Sequence, residues 1–581
     1  MSEKTGQIFD YALLKKLLKL ASPYKFWFIA ATFIAIFSAL IAPIRPYYIG
    51  VAIDENIALK NGEGLATIIL LLFALLLVES LVRYFFIFFT SNLGQTVIRN
   101  LRLDVFKKIN HFNLSYFDKT PIGTSTTRTI NDVETINDLY SENFFTIISD
   151  LLTIFIVLGI MFYKNWQLAL ISIAPFPLLL WATYVFKENV KKAFTKIREK
   201  ISEINAFLQE HISGVKITQI FNAEEKEFLK FQKINQDHTD AQIASIWHYS
   251  VYFPIVDMIL SLSIGLMVCF ASYQILGKNQ IKAGEITSFF LYLNMLFRPM
   301  RFLADKFNTL QMGLVASERV FRLLETNNHT ADKGKISNHT FNGKIEFKNV
   351  YFEYVKNNPV LTNLNFTINP STSVAIVGKT GSGKSTITSL LNRFYEIKEG
   401  QILIDDININ DYNLTTLRQN IGMVLQDVFL FSGSILENIT LYNPEITREQ
   451  VIQAAKELEL HEFIMSLPGN YDYNVMERGA TLSLGQRQII SFIRVLVTNP
   501  SILILDEATS SIDSNSEKII QNAIHKLIHG RTTIAIAHRL STILDADKII
   551  VLDKGVISGI GNHEELLASN YTYQQYFIEK M

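Results

Sequence analysis

A single cysteine, Cys269, in 581 residues excludes an internal disulfide, and the apolar run around it predicts a buried, inert thiol. Excess charge is missing as well. Lys+Arg and Asp+Glu stand at 54 each, so the chain lacks the basic surplus that nucleic-acid binding calls for. The stretch up to Lys19 has neither the short apolar core nor the small-residue cleavage site of a secretory signal, so the first long apolar segment is expected to stay in the mature chain.

What the chain has in abundance is apolar sequence. The hydrophobic share is 49%, mean hydropathy is +0.20, and the excess lies in the first half. Phe26–Tyr47, Leu65–Phe89, Phe144–Tyr163, Leu168–Phe186, Val256–Leu276 and Ile286–Leu310 each approach the length needed to cross a bilayer as a helix. Before them, Tyr11–Leu20 spaces leucines helically between lysines, the pattern of a helix lying in the inner membrane interface. Lys15, Lys16, Lys19 and Lys25 precede the first span; Arg99, Arg102, Lys107 and Lys108 follow the second; Lys187, Lys191, Lys192, Lys196 and Arg198 follow the fourth. These sides are therefore cytoplasmic, although Lys278 and Lys282 run mildly against the rule. The connections Thr90–Asn143 and Lys187–Ser250 are long, charged and helical in pattern, so the membrane helices are expected to continue into the cytoplasm.

Near Glu325 the composition changes. Thr326–Asn342 is polar and aperiodic and reads as a linker, which divides the chain into 1–325, a linker 326–343, and 344–581. Beyond it β-rich runs (Lys344–Tyr354, Gln401–Ile404, Ile421–Leu425, Ile502–Leu505, Thr533–Ala537) alternate with helical segments. The apolar run Val374–Val377 leads into Gly378-Lys379-Thr380-Gly381-Ser382-Gly383-Lys384-Ser385-Thr386, a G-x-x-x-x-G-K-[ST] phosphate loop. Its glycines let backbone N–H groups turn onto a polyphosphate, Lys384 adds charge on the β/γ side, Ser385 can offer its hydroxyl to Mg²⁺, and the following helix start favours anions. The expected ligand is a nucleoside triphosphate with Mg²⁺. A strand ending in two acids, Ile502–Glu507, supplies Asp506 to hold the metal and Glu507 to polarise the attacking water.

Between these two motifs lies Leu482-Ser483-Leu484-Gly485-Gln486, at the head of a predicted helix that runs to Val497. Here the sequence resembles the ATP-binding cassette (ABC) transporters, whose signature L-S-G-G-Q occupies this place. Six spans followed by one cassette is the layout of the exporter half-transporters of that family. The resemblance implies an all-α six-helix transmembrane domain followed by an α/β P-loop nucleotide-binding domain. It implies that Tyr354 stacks on adenine, that Gln426 reaches the metal or attacking water, and that His538 contacts the γ-phosphate. It further implies that Ser483, Gly485 and Gln486 face the nucleotide held by a partner cassette, and that Asp513 lies at the dimer interface. Glu477-Arg478-Gly479 resembles the segment that meets the intracellular loops. Asn113–Asp118 with Gly123 and Asn131-Asp132-Val133, then Ser213–Lys216 and Phe221–Glu224, resemble the two loops that carry coupling helices. Leu484 departs from the pattern by replacing the first signature glycine. Either the leucine is tolerated, since it still supplies an N–H, or the chain pairs with a different half-transporter that has a weakened ATP site.

Arg45, Glu79, Arg83, Asp150, Asp257, Arg298, Arg301 and Asp305 lie within the spans and are candidates for a transport path. All except Arg45 are placed in the cytoplasmic half by the orientation above. Glu79–Arg83 and Arg301–Asp305 also have the i,i+4 spacing of a local pair. Arg298-Pro299 suggests a kink lining the cavity, and Arg298 with Arg301 an anionic headgroup. The expected protein is a dimeric ABC exporter, with a second copy or a homologous half-transporter as partner. It would use ATP to move a hydrophobic or amphipathic small molecule, lipid or peptide across a membrane, with the bacterial inner membrane as its expected location and its ATP-binding domain cytoplasmic. A regulatory membrane subunit that does not pump is the alternative.

Overall fold

The computed structural model describes residues 11–140, 144–276, 281–337, 339–506, 514–536 and 543–580. The chain forms two compact units, Met1–Asn110 with Ile122–Thr326, and His111–Pro121 with Asn327–Met581. The short segment between the second and third spans thus belongs, by its contacts, with the C-terminal unit.

The first unit is helical. In a bilayer a backbone has no water to bond, so each segment satisfies its polar groups within itself. The resulting helices overrun the membrane. Gly62–Asn110 has 49 residues and Glu224–Leu276 has 53, about 74 and 80 Å at 1.5 Å per residue against an apolar core of about 30 Å. The expected cytoplasmic continuation is therefore present. Phe176–Ser213 does the same from the fourth span, entered at Pro175 after Trp166–Ile173.

Five helical stretches among the described residues are long and apolar enough to cross: Ser22–Ile57, Gly62–Asn110, Phe144–Lys164, Trp166–Ser213 and Glu224–Ile275. The sixth expected span falls in Ala283–Glu325, which has 43 residues but is less apolar. It carries Arg298, Arg301, Asp305 and Lys306. Its apolar face, Phe289, Tyr292, Leu293, Leu296 and Phe297, is buried in the core of the unit against Leu179, Val256 and their neighbours, so protein takes the place of lipid around it. Pro299 lies inside this uninterrupted helix. Its effect is the one ladder bond that its missing N–H cannot make.

Close approach between spans is made by small residues. Ala31, Ala35 and Ala39 recur every fourth position of Lys25–Ile41, are 0–1% exposed, and seat that helix against Gly62–Asn110 and Phe144–Lys164. At the other end of the first span, Gly284 N–H donates to Asp54 at 2.6 Å, Ser288 to Pro46 O at 3.0 Å and Tyr292 to Pro43 O at 3.0 Å. Tyr11–Leu20 is helical and ends at Leu20 as expected, but Leu17 is buried against protein; Tyr140 bonds the Leu17 carbonyl and Lys16 pairs with Glu325. Cys269, expected to be buried, is exposed. Its helix face is not covered by this chain, and an apolar exterior is what a membrane helix presents.

The C-terminal unit carries two sheets. One has the order β2-β1-β4-β5, from β1 (Ile345–Val355), β2 (Asn358–Ile368), β4 (Glu399–Ile404) and β5 (Ile407–Asn408), and is antiparallel. The other has the order β10-β9-β3-β8-β7-β6, from β3 (Ser373–Val377), β6 (Ile421–Val424), β7 (Ile502–Asp506), β8 (Thr532–Ile536), β9 (Lys548–Asp553) and β10 (Val556–Gly561). Its middle is parallel, with buried Val/Ile/Leu runs as helix-covered strands require. The parallel register brings the C-terminal ends of β3, β7 and β6 to one edge, where ligands of such sheets bind.

Gly284 tests the packing. A Cβ there would stand 2.0 Å from the Gly50 carbonyl oxygen, whereas one at Gly159 would meet nothing within 4 Å. Gly284→Ala should destabilise the detergent-solubilised protein by about 1–3 kcal/mol. Gly159→Ala should leave its melting temperature unchanged or raised.

Candidate nucleotide site

β3 ends at Val377 and the chain turns through Gly378 (φ 154°) and Gly383 (φ 104°) into the helix Lys384–Leu391. At Gly378 a side chain would meet the Leu552 carbonyl at 2.2 Å. Only glycine permits this conformation at this proximity. Lys384, 7% exposed, arches back over the loop; its ammonium donates to Gly378 O at 2.7 Å and Lys379 O at 3.1 Å. Ser382 Oγ is buried and, among the described residues, has no hydrogen-bond partner. A buried hydroxyl without a partner costs about 1–3 kcal/mol, so its presence in a cradle of amides fits a phosphate oxygen. Lys379 projects outward, its ammonium 3.9 Å from Glu579. Thr386 accepts a hydrogen bond from Tyr354 Oη at 3.1 Å, which holds the proposed base platform beside the loop.

Asp506 closes β7, separated from β3 only by β8. Burial raises its pKa above the usual carboxylate value, Lys384 opposes that rise and Asp427 adds to it, so all three charges share one site. Val424 pairs with Leu505, which sets the exposed Gln426 at the same sheet edge, two residues beyond the end of β6. The strand ends thus set the phosphate loop, Gln426 and Asp506 at one edge of the sheet, with Tyr354 tied to the loop through Thr386. Thr380 and Gly381 lie in the turn, and Ser385 stands in the first turn of the helix. Glu507, Asp513 and His538 lie outside the described residues.

The signature helix packs in the core where Leu430, Ile464 and Tyr471 meet Val424 of β6 and Leu503 and Leu505 of β7. Ser483 N-caps the helix Leu484–Val497 in a capping box, its Oγ accepting from Gln486 N–H at 3.3 Å and Gln486 Oε1 accepting from Ser483 N–H at 2.9 Å. Gly485 is buried in the first turn. Leu484 occupies the first helical position, and its φ is not among the positive ones. Upstream, Met476 (φ 55°), Arg478 (φ 56°) and Gly479 (φ 68°) make a strained left-handed passage.

In the helical unit the ionisable residues find partners across helices. Arg45 pairs with Glu79 at 3.6 Å, so Glu79 lies at Arg45's depth. Arg301 pairs with Asp257, Lys306 with Asp150, and Tyr249 donates to Asp305 at 3.0 Å. The i,i+4 pairing expected for Glu79 and Arg301 gives way to these, because side chains of adjacent helices project into the same interior. The Arg301 charge, expected to meet an anion, is met by Asp257 instead. A cavity of about 530 Å³ lies where the fourth span leaves the membrane, lined by Lys187, Lys191, Arg198 and Arg319, by Asp132, which pairs with Arg319 at 3.4 Å, by Asp305, and by Phe186 and Leu314. Sequence reasoning used the first three only as orientation signals. Their spacing, 187, 191 and 198, places them on one helix face.

The chain matches the family model described as ABC transporter transmembrane region over residues 28–300, and that described as ABC transporter over 361–510. It is 35% identical to an uncharacterized ABC transporter ATP-binding protein, YknV, of Bacillus subtilis over 97% of this chain and 94% of that protein. It is 34% identical to an ATP-dependent lipid A-core flippase of Syntrophus aciditrophicus over 97% of this chain and 93% of that protein. Among solved structures it resembles a bacterial Atm1-family ABC exporter with ATP bound, with TM-score 0.78, 28% identity, and 98% and 99% of the two chains covered.

The unpartnered Ser382 hydroxyl and the folded-back Lys384 give a paired expectation. Lys384→Ala should weaken ATP binding roughly 10- to 100-fold, the worth of charge-assisted hydrogen bonds. Ser382→Ala should weaken ATP binding less, yet raise the melting temperature measured without nucleotide. A lowered melting temperature in that variant would contradict the assignment.

Proposed function

The chain belongs to the ABC transporter family, and from that premise we propose a half-transporter that works as a dimer with two ATP molecules held between facing cassettes. It is an ATP-driven exporter: a membrane protein whose cytoplasmic cassette couples ATP hydrolysis to movement of a substrate across the membrane. The observation that carries the reading is the phosphate loop with Lys384 arched over it, an unpartnered Ser382 beside it and Asp506 near its cation, on the same chain as a helical membrane unit. Lys384 and the loop amides of Gly378–Thr386 would bind the phosphates and Tyr354 the base. Mg²⁺ would be held by Ser385, Gln426 and Asp506, and supplies charge neutralisation on the transferred phosphoryl group. Glu507 would orient the attacking water and His538 the γ-phosphate.

Ser483, Gly485 and Gln486 would face the partner's nucleotide. Leu484 at a helical first position, without positive φ, needs no glycine. This supports a tolerated variant, hence a homodimer, over a partner with a weakened site. ATP binding favours closed cassettes, because only there do loop and facing signature both contact it, and that differential affinity is what shifts the membrane unit between inward- and outward-open states. The basic, apolar-walled cavity at Lys187 and Lys191 supports an amphipathic anion as substrate.

Purified alone in lipid, the chain should be dimeric with an ATPase that Glu507→Gln abolishes; a monomer without activity would overturn the homodimer. Stimulation of that ATPase by an anionic amphiphile, but not by its neutral analogue, should be lost in Lys187→Ala/Lys191→Ala with basal hydrolysis kept. Equal stimulation by both compounds would overturn the substrate class.

A further inference from the structure

Three rings stand together at the edge of the nucleotide site. Tyr354 meets Tyr395 edge-to-face, with centroids 5.0 Å apart at 88°, and Phe352 packs on both at 4.8 and 5.9 Å. Tyr354 is tied on its other side to Thr386 of the phosphate loop. Tyr395 comes four residues after the end of the phosphate-loop helix, and its hydroxyl donates to the carboxylate of Asp118. Asp118 lies on the short helix Leu114–Lys119 between the second and third spans, whose contacts place it in the same compact unit as the cassette. That segment is held firmly. Phe112 and Tyr116 are buried, their rings 4.2 Å apart, and Asn113 N–H donates to Asn328 O at 2.8 Å. Arg393, two residues before Tyr395, donates to Ala331 O at 2.7 Å, so the turn that carries Tyr395 is pinned to the chain arriving from the membrane.

We propose that Tyr395 is a positioning residue that joins the nucleotide base to the first intracellular segment, through the contacts Tyr354–Tyr395 and Tyr395–Asp118. The inference rests on Tyr354 as the base platform. A base stacked on Tyr354 restricts the ring, the edge-to-face contact passes that restriction to Tyr395, and the hydrogen bond fixes Asp118 with the helix that bears it. A ring pair of this geometry is directional, and a charge-assisted hydrogen bond is about twice as strong as a neutral one, so the chain of contacts discriminates between orientations. The burial of the Tyr395 hydroxyl and its neighbour Asp118 both hold the phenol protonated, as the donor role requires. Coupling of this kind is reciprocal: whatever the base does to the segment, the segment does to affinity for the base. The phosphates, gripped by the loop, would report through a different route.

Tyr395→Phe keeps the ring and removes only the donor, and Asp118→Asn removes only the charge. In the full chain in lipid, each should raise the KM for ATP about three- to tenfold with kcat within about twofold. The double variant should be no worse than either single one, and binding of inorganic tripolyphosphate, which has no base, should stay at the wild-type level. Unchanged KM in both single variants, additive effects in the double, or equal weakening of tripolyphosphate would each overturn the proposal. Tyr354→Ala separates the two layers. If it leaves ATP affinity at the wild-type value, the base-platform reading itself fails; if it weakens ATP while the Tyr395 and Asp118 effects add, only the relay fails.

Discussion

The constraint on which the rest of this structure depends is that a backbone in lipid must bond to itself. It forces helices through the bilayer, and once a helix has crossed there is no reason for it to stop at the surface. Gly62–Asn110, Phe176–Ser213 and Glu224–Leu276 therefore emerge as stiff rods. Their cytoplasmic ends are turned by short helices, Leu114–Lys119 and Val215–Ile220. The first of them packs as part of the cassette unit.

At the other end of the chain the same economy of parts governs chemistry. A parallel sheet sets the ends of β3, β6 and β7 at one edge, where the glycine-rich loop, Gln426 and Asp506 stand. The cradle is held open by glycine geometry and crossed by Lys384, whose proximity eases the cost of keeping Asp506 ionised in a buried place. The signature helix packs in a core shared with β6 and β7 and is capped by its own Ser483 and Gln486.

Much of this was legible in the sequence. Leucine spacing located the first helix and its end at Leu20, and the strand runs fell within two residues of those found, because periodicity and turn residues are local properties. The phosphate loop needed only its glycines and lysine. Partner choice was not legible. Arg301 has Asp305 four residues away, yet it pairs with Asp257 on another helix, and Glu79 chooses Arg45 over Arg83. Spacing along one helix says nothing about what a neighbouring helix offers. For the same reason Lys187, Lys191 and Arg198 read as topology signals until the fold put Arg319 across from them. Cys269 was misjudged because an apolar run in a membrane helix has an outside as well as an inside.

The account stands on the claim that the segment 111–121 moves with the cassette and carries its nucleotide state towards the membrane helices. Hydrogen exchange of that segment, measured in the full chain in lipid nanodiscs with and without saturating Mg²⁺-ATP, addresses this directly. The account predicts that ATP slows exchange in Leu114–Lys119 in step with the phosphate loop. Exchange there that ignores ATP while the loop is protected would contradict it.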